Sequence, residues 1–239
     1  MIIGTSRSYR PDQIFFTRMA IGVSVLTFFG FAQFAARGIP DYAGAPLHIH
    51  LHAGIYLAWL VVFPLQNILA GSGNLALHRR LGKLGAVLIL AMIVIGSYAG
   101  LQSIARDHVP PHYTPAYFLP MVQVAALSFA VLAIAGLVKR RDTQSHRRLM
   151  LMAAIVIADP ALDRLLPGPI LGGPVLQWWI MAIQLVLAGL VLLHDRKALG
   201  RVHRATWCGI VVIVASHVVT DLLARLPAVE ALANGMVPA

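Results

Sequence analysis

The chain predicts an all-α fold: a polytopic membrane protein of seven transmembrane helices, N-terminus cytoplasmic and C-terminus periplasmic. Three observations predict it. Of 239 residues, 59% are hydrophobic and only 12% charged, with mean hydropathy +0.77, a balance too apolar for an ordinary soluble domain. The apolar residues gather into seven runs of 18 to 22 residues, enough to cross a hydrocarbon core of about 30 Å as helix. Lysine and arginine alternate between the gaps: the first, third, fifth and seventh hold 3, 3, 5 and 4, and the other four hold one each. Fifteen against four is a positive-inside distribution.

The first run, Met19–Ala36, follows Arg7, Arg10 and Arg18; it is longer than a cleavable signal needs and predicts a retained helix. After the lone Arg37, the second run, His52–Ala70, starts from the outer side behind His48 and His50. His48 and His52 share a helix face if the helix begins early. Arg79, Arg80 and Lys83 precede the third run, Leu84–Ile104, and an outer loop with Arg106, Asp107, His108 and His112 leads to the fourth, Tyr117–Val138. Lys139, Arg140, Arg141, Arg147 and Arg148 then introduce the fifth, Leu149–Leu166, which Asp159, Pro160, Asp163 and Arg164 interrupt; Pro160 predicts a kink there. The sixth, Val175–Leu193, leads to Arg196, Lys197, Arg201 and Arg204, and the seventh is Thr206–Leu223. Arg164 and Arg225 are the lone cations of the last two outer stretches.

Helices are the economical choice because lipid offers backbone groups no partner, and no run shows the alternation of a barrel strand. Loops are short and no linker interrupts them, which predicts one domain over residues 1–239. Tyr113, Tyr117, Trp178 and Trp179 fall near outer helix ends and read as interfacial anchors. The single cysteine, Cys208, excludes an intrachain disulfide and is expected to be a small buried residue. The net charge of +10 lies in juxtamembrane clusters, which fit anionic headgroups better than nucleic acid. The partners implied are the bilayer of a bacterial inner membrane, with another membrane protein or a homo-oligomer left open.

A repeat marks the cytoplasmic helix starts: Leu77-His78-Arg79-Arg80-Leu81-Gly82, Ser145-His146-Arg147-Arg148-Leu149-Met150 and, more loosely, Val202-His203-Arg204-Ala205. One reading makes these arginines interfacial anchors that reach phosphates. The other makes His78 and His146 facing ligands or a headgroup clamp. The repeat also gauges depth. Asp159 lies 13 residues after His146 and His217 lies 14 after His203, which puts both about 20 Å from the cytoplasmic start. Asp163 and Asp221 each follow four residues later, on the same faces.

Ionisable groups at such depth normally pair or line a functional cavity. Three readings are open. His52, Asp159, Asp163, His217 and Asp221 form a metal site open to the periplasm, binding zinc, or iron with more ligands. Alternatively, paired histidines hold haem b, with His52 and His217 the outer pair and His78 and His146 the inner one. In the third reading, these groups and Arg164 only satisfy one another, stabilising the bundle or passing protons. Phosphate-binding glycine loops, Cys-x-x-Cys, His-Glu-x-x-His and Gly-x-Ser-x-Gly are absent from the sequence. Ser216 and His217 are adjacent, so their side chains diverge by about 100° on a helix and make a poor nucleophile–base pair. The reaction, if there is one, is not written in a motif.

The run from His52-Ala53-Gly54 through Trp59 and Gln66 to the first His-Arg signature, with Ser145-His146-Arg147-Arg148 later, resembles bacterial multi-helix inner-membrane proteins of unknown function. The resemblance covers roughly residues 48–165 and implies no activity. A fainter similarity is to di-haem b-type membrane cytochromes, which implies histidine ligands on neighbouring helices; clean pairs at two depths on four successive helices are lacking here. The inferred topology is also similar to that of seven-helix hydrolases, the alkaline ceramidases and adiponectin receptors. Their Ser-x-x-x-His and His-x-x-x-His motifs are replaced here by His217-x-x-x-Asp221, with no serine four residues before His52.

Overall fold

Each apolar run lies in helix, and most of the helices outrun the stretch that would sit in hydrocarbon. In the computed structural model residues 6–39, 41 and 43–238 are described, with side chains from Asp12 onward, so the side chains of Arg7 and Arg10 lie outside the described residues. The helices are α1 (Ser6–Ala36), α2 (Leu47–Gly71), α3 (Leu75–Ala105), α4 (Pro115–Val138), α5 (Thr143–Ile157) and α6 (Asp159–Leu165). After them come α7 (Gly168–Leu171), α8 (Gly173–Leu199), α9 (Arg204–Ala224) and α10 (Pro227–Asn234), and no strand occurs among the described residues. Local chemistry sets several starts. The side chain of Asn74 accepts from Leu77 N at α3, and that of Thr114 from Tyr117 N at α4. Asp142 accepts from Gln144 N and Ser145 N at α5. Each satisfies backbone donors that a helix start leaves without a partner. The bond from Ser145 Oγ, first among its causes, holds the Asp142 carboxyl below the usual carboxylate range.

Six helices are long and apolar enough to cross a membrane: Asp12–Ala36 of α1, then α2, α3, α4, α8 and α9. They form a ring in the order α1, α2, α3, α4, α9, α8, with α8 returning to α1. Each turns large apolar side chains outward. Val25, Val61, Val94, Leu127, Val186 and Val211, one per helix, are all at least 59% exposed. A soluble protein rarely shows so continuous an apolar exterior, and lipid is the solvent that suits it. The chain is thus a multipass membrane protein.

The fifth run is the exception, and it occupies the centre. Its helix breaks at Ala158, two residues before Pro160, into α5 and α6, as a ring that lacks an N–H and crowds the preceding turn dictates. The α5 helix packs on α4, α9, α1 and α8, and from Arg147 to Ile157 only Met150 is not buried. Close approach depends on glycine here: a Cβ on Gly209 of α9 would overlap Met152 of α5. Together α5 and α6 run the length of the bundle. His146 meets Gly136 O near the end of α4, while Arg164 O, at the other end, accepts from Gln33 near the end of α1. The span from Thr143 to Leu165 is about 34 Å at 1.5 Å per residue.

Several sequence expectations change. Tyr113 and Tyr117 are buried rather than interfacial, because their rings pack with Phe118 and Leu176 in an outer core and the Tyr113 hydroxyl has an internal partner. Trp178 and Trp179 do face outward. Cys208 is exposed, since α9 turns the neighbouring Gly209 inward to meet α5. The α10 helix, absent from the sequence expectation, lies against α4 and buries Ala233.

Candidate functional site

The α9 helix buries His217, and α6 begins with a buried Asp159. Their side chains face each other across 3.9 Å, as equal spacing from two helix starts predicts. Two glutamines of α8, seven residues apart, frame the pair. Gln184 Nε2 donates to the carbonyls of Ile155 and Val156 at 3.1 and 3.2 Å, beside the break in α5 where Pro160 has no N–H to give to Val156 O. Those bonds fix the amide, so its Oε1 faces His217 Nε2 at 2.8 Å. Nε2 therefore carries a proton.

Gln177 connects the pair outward. Its Nε2 donates to Asp159 Oδ1 at 3.3 Å and to the Tyr113 hydroxyl oxygen at 2.8 Å. Tyr113 in turn donates to Asp163 Oδ1 at 2.8 Å, and His112 Nε2 lies 3.1 Å from the same oxygen. Asp163 and His112 are 13% and 11% exposed, so the network ends near the loop between α3 and α4. At its deep end Asp159, His217, Gln177, Ser216 and Thr220 line a cavity of about 10 Å³, room for about one water-sized group.

The five proposed metal ligands are not brought to one point. Asp159 and His217 meet, and Asp163 belongs to His112 and Tyr113. Asp221 accepts from the exposed Arg225 at 2.7 Å. His52 is in α2, stacked on Tyr56 at 4.2 Å, and Tyr56 donates to Met92 O of α3. Among the described residues no three His, Cys, Asp or Glu side chains group as a metal would require. A protein-held zinc takes three or four such ligands, and one imidazole with one carboxylate does not fit it. His48 does lie one turn from His52 because α2 starts at Leu47. Arg164 lies over Phe31 and Phe34.

A second network, which the sequence did not suggest, lies at the opposite end. Arg148 is fully buried, and its Nε and Nη2 donate to Asp195 Oδ1 at 2.9 and 2.5 Å. The other carboxylate oxygen of Asp195 accepts from Thr206 Oγ1 and His203 N at 2.5 and 3.0 Å, which ties α8 to the start of α9. Arg147 pairs with Asp12 of α1, and His194 Nε2 lies 2.6 Å from the same carboxylate. Phe16 lies beneath both guanidinium groups. Arg147 and Arg148 thus do not reach headgroups: acids from two other helices, Asp12 of α1 and Asp195 of α8, hold them inside. Arg79 and Arg80 remain exposed, as an anchor requires.

The two histidines of the repeat have matching surroundings. His78 Nδ1 lies 3.2 Å from Gln66 O of α2, and His146 Nδ1 lies 2.7 Å from Gly136 O of α4. A carbonyl only accepts, so each Nδ1 carries the proton and each Nε2 the lone pair.

No family model matches the chain, and neither a curated protein nor a solved structure matches it. The site therefore stands on its own residues. Sequence reading missed His112, Tyr113, Gln177 and Gln184. The signal for the glutamines was present: two amides seven residues apart on an otherwise apolar helix lie on one face, and such groups seek partners inside.

Proposed function

We propose that the chain crosses a bacterial inner membrane seven times, and that Asp159 and His217 form a proton-exchanging site that communicates with the periplasmic side. One observation carries the reading. The buried Asp159 carboxyl and the His217 imidazole flank a cavity fit for one water, and a polar network joins them to Asp163 and His112 near an outer loop. Satisfied networks also stabilise bundles, but ionisable groups in lipid commonly mark proton relays. The test is infrared spectroscopy of purified protein in lipid discs. A protonated-carboxyl band that titrates with the bath pH and is missing from Asp159→Asn is the expected result. A spectrum without such a band would overturn the reading.

The topology rests on the fifteen-to-four charge distribution together with the passage of α5 and α6 through the bundle. Arg140, Arg201, Asp107 and Glu230 are all exposed. Single cysteines placed there, in a Cys208→Ser background, should label from the cytoplasmic side at 140 and 201 and from the periplasmic side at 107 and 230. Labelling of all four positions from one side would force a different number of crossings.

His78 and His146 favour a second reading, a cofactor held at the inner end. Ligating imidazoles typically donate their other nitrogen to a carbonyl, and both rings do so here. His78 and His146 would hold haem b through their Nε2 atoms, and the haem would supply one-electron transfer. Purified protein should then absorb in the visible with a haem spectrum that His146→Ala removes. A colourless preparation from haem-replete cells would leave the two rings as helix-end anchors.

A further inference from the structure

The cavity at the deep end of the outer network is lined by oxygen-bearing side chains from three helices. Asp159 of α6, Gln177 of α8 and Ser216 and Thr220 of α9 reach it, and Met121 and Ala125 of α4 complete the wall. Ser216 and Thr220 are one turn apart and share a helix face. The carboxyl of Asp159 is only partly satisfied. Its Oδ1 takes a bond from Gln177 at 3.3 Å, but Oδ2 lies 3.9 Å from His217 Nε2, whose N–H is directed to Gln184. That separation is beyond hydrogen-bond reach. Oδ2 thus has no donor among the described residues, although Asp159 is only 8% exposed.

We propose that this cavity binds a sodium ion, held by Asp159 Oδ2, Gln177 Oε1, Ser216 Oγ and Thr220 Oγ1. The inference rests on Asp159 being the working group of the outer site, and it adds a second cation to the proton exchanged there. A carboxylate in a low dielectric needs a compensating charge. Among the described residues no lysine or arginine pairs with Asp159, and Arg225 is directed to Asp221. One carboxylate selects a monovalent ion. Asp163 is directed to Tyr113 and His112 and does not line the cavity, so a divalent ion would keep an uncompensated charge inside the bundle.

The neighbouring groups suit a hard cation. Both Gln177 amide hydrogens are given away, to Tyr113 and Asp159, which leaves Oε1 to accept. Ser216 gives its proton to Ile213 O at 2.7 Å and keeps its lone pairs. Thr220 is 4% exposed, and its hydroxyl oxygen carries lone pairs that a cation can take up. Oxygen donors favour hard ions over the metals that seek imidazole and thiolate. The cavity has room for about one water-sized group, so a bound ion must shed its water into this oxygen set. Four oxygens are too few to replace the hydration shell of a larger ion such as potassium. Position agrees with charge: Asp159 stands at the break between α5 and α6, and discontinuous membrane helices commonly hold sodium ions and protons.

The experiment uses the full chain in phosphatidylcholine nanodiscs with radioactive sodium in choline buffer, read by scintillation proximity. Saturable binding is expected, displaced by unlabelled sodium and about tenfold less well by potassium, a difference of about 1.4 kcal/mol. Thr220→Val keeps the shape and removes one oxygen. With its fold verified by circular dichroism, it should bind sodium about tenfold more weakly, and Thr220→Ser should restore the affinity. Asp159→Asn should abolish binding. Binding that does not saturate, potassium competing as well as sodium, or Thr220→Val binding like the unmodified chain would each overturn the proposal; the first would leave a cavity that holds water alone. The two readings fail separately. A titrating carboxyl band without sodium binding keeps proton exchange and removes the ion site, whereas sodium binding without such a band keeps the site and removes proton exchange.

Discussion

Asp195→Ala is expected to be among the most destabilising single substitutions in this chain. It strands the fully buried Arg148 guanidinium, which Asp195 meets through two nitrogens, and it releases the bonds from Thr206 Oγ1 and His203 N. Removing one partner of a buried ion pair costs about 3–5 kcal/mol, because the remaining charge is left without compensation in a low dielectric. Unfolding of the purified protein in mixed micelles, followed by circular dichroism, reads the loss directly. The paired replacement Arg148→Met with Asp195→Leu removes both charges and should recover most of the stability. A single variant within about 0.5 kcal/mol of the parent, the range of ordinary surface changes, would show that the pair does not hold α5 to α8. Arg79→Ala, at an exposed arginine of the same repeat, is the internal control and should be nearly neutral.

The second large effect lies at the other end of the bundle, where stability and chemistry should separate. His217→Ala leaves Gln184 Oε1 without its donor and opens space beside Asp159. An unsatisfied buried acceptor costs about 1–3 kcal/mol, and the cavity adds to that. Asp159→Asn keeps the shape and a partner for Gln177, so it should cost less while removing the titrating carboxyl outright. The two side chains lie 3.9 Å apart, close enough for a coupling of about 0.5 kcal/mol or more in a double-mutant cycle. Additive stabilities would mean that Asp159 and His217 do not act as a unit. Tyr113→Phe tests the route outward. It removes the hydroxyl shared by Gln177 and Asp163 and should slow hydrogen–deuterium exchange at the Asp159 carboxyl without removing its band.

The helix content was legible in composition and run length. The break in the central helix was legible in Pro160, and the shared depth of Asp159 and His217 in their distance from two His-Arg pairs. These features are set by local rules: a helix rises by a fixed step, proline breaks a fixed bond, and hydrocarbon accepts only apolar side chains with paired backbones. A reader of the chain can add them up without knowing which helix touches which.

Only the tertiary structure decided where each polar side chain points. Arg79 and Arg80 share a motif with Arg147 and Arg148, yet the first pair is exposed and the second buried. The difference is that α5 is central, and its arginines meet Asp12 and Asp195, which are 135 and 47 positions away in the chain. Likewise, Asp163 and Asp221 sit on the expected faces but find partners nearer than any shared ion, His112 with Tyr113 for one and Arg225 for the other. Spacing along a helix fixes depth and face. The partner that satisfies a buried charge is fixed by the order in which helices surround one another, and that order follows from shape complementarity at contacts such as Gly209 against Met152, which no periodicity in the sequence encodes.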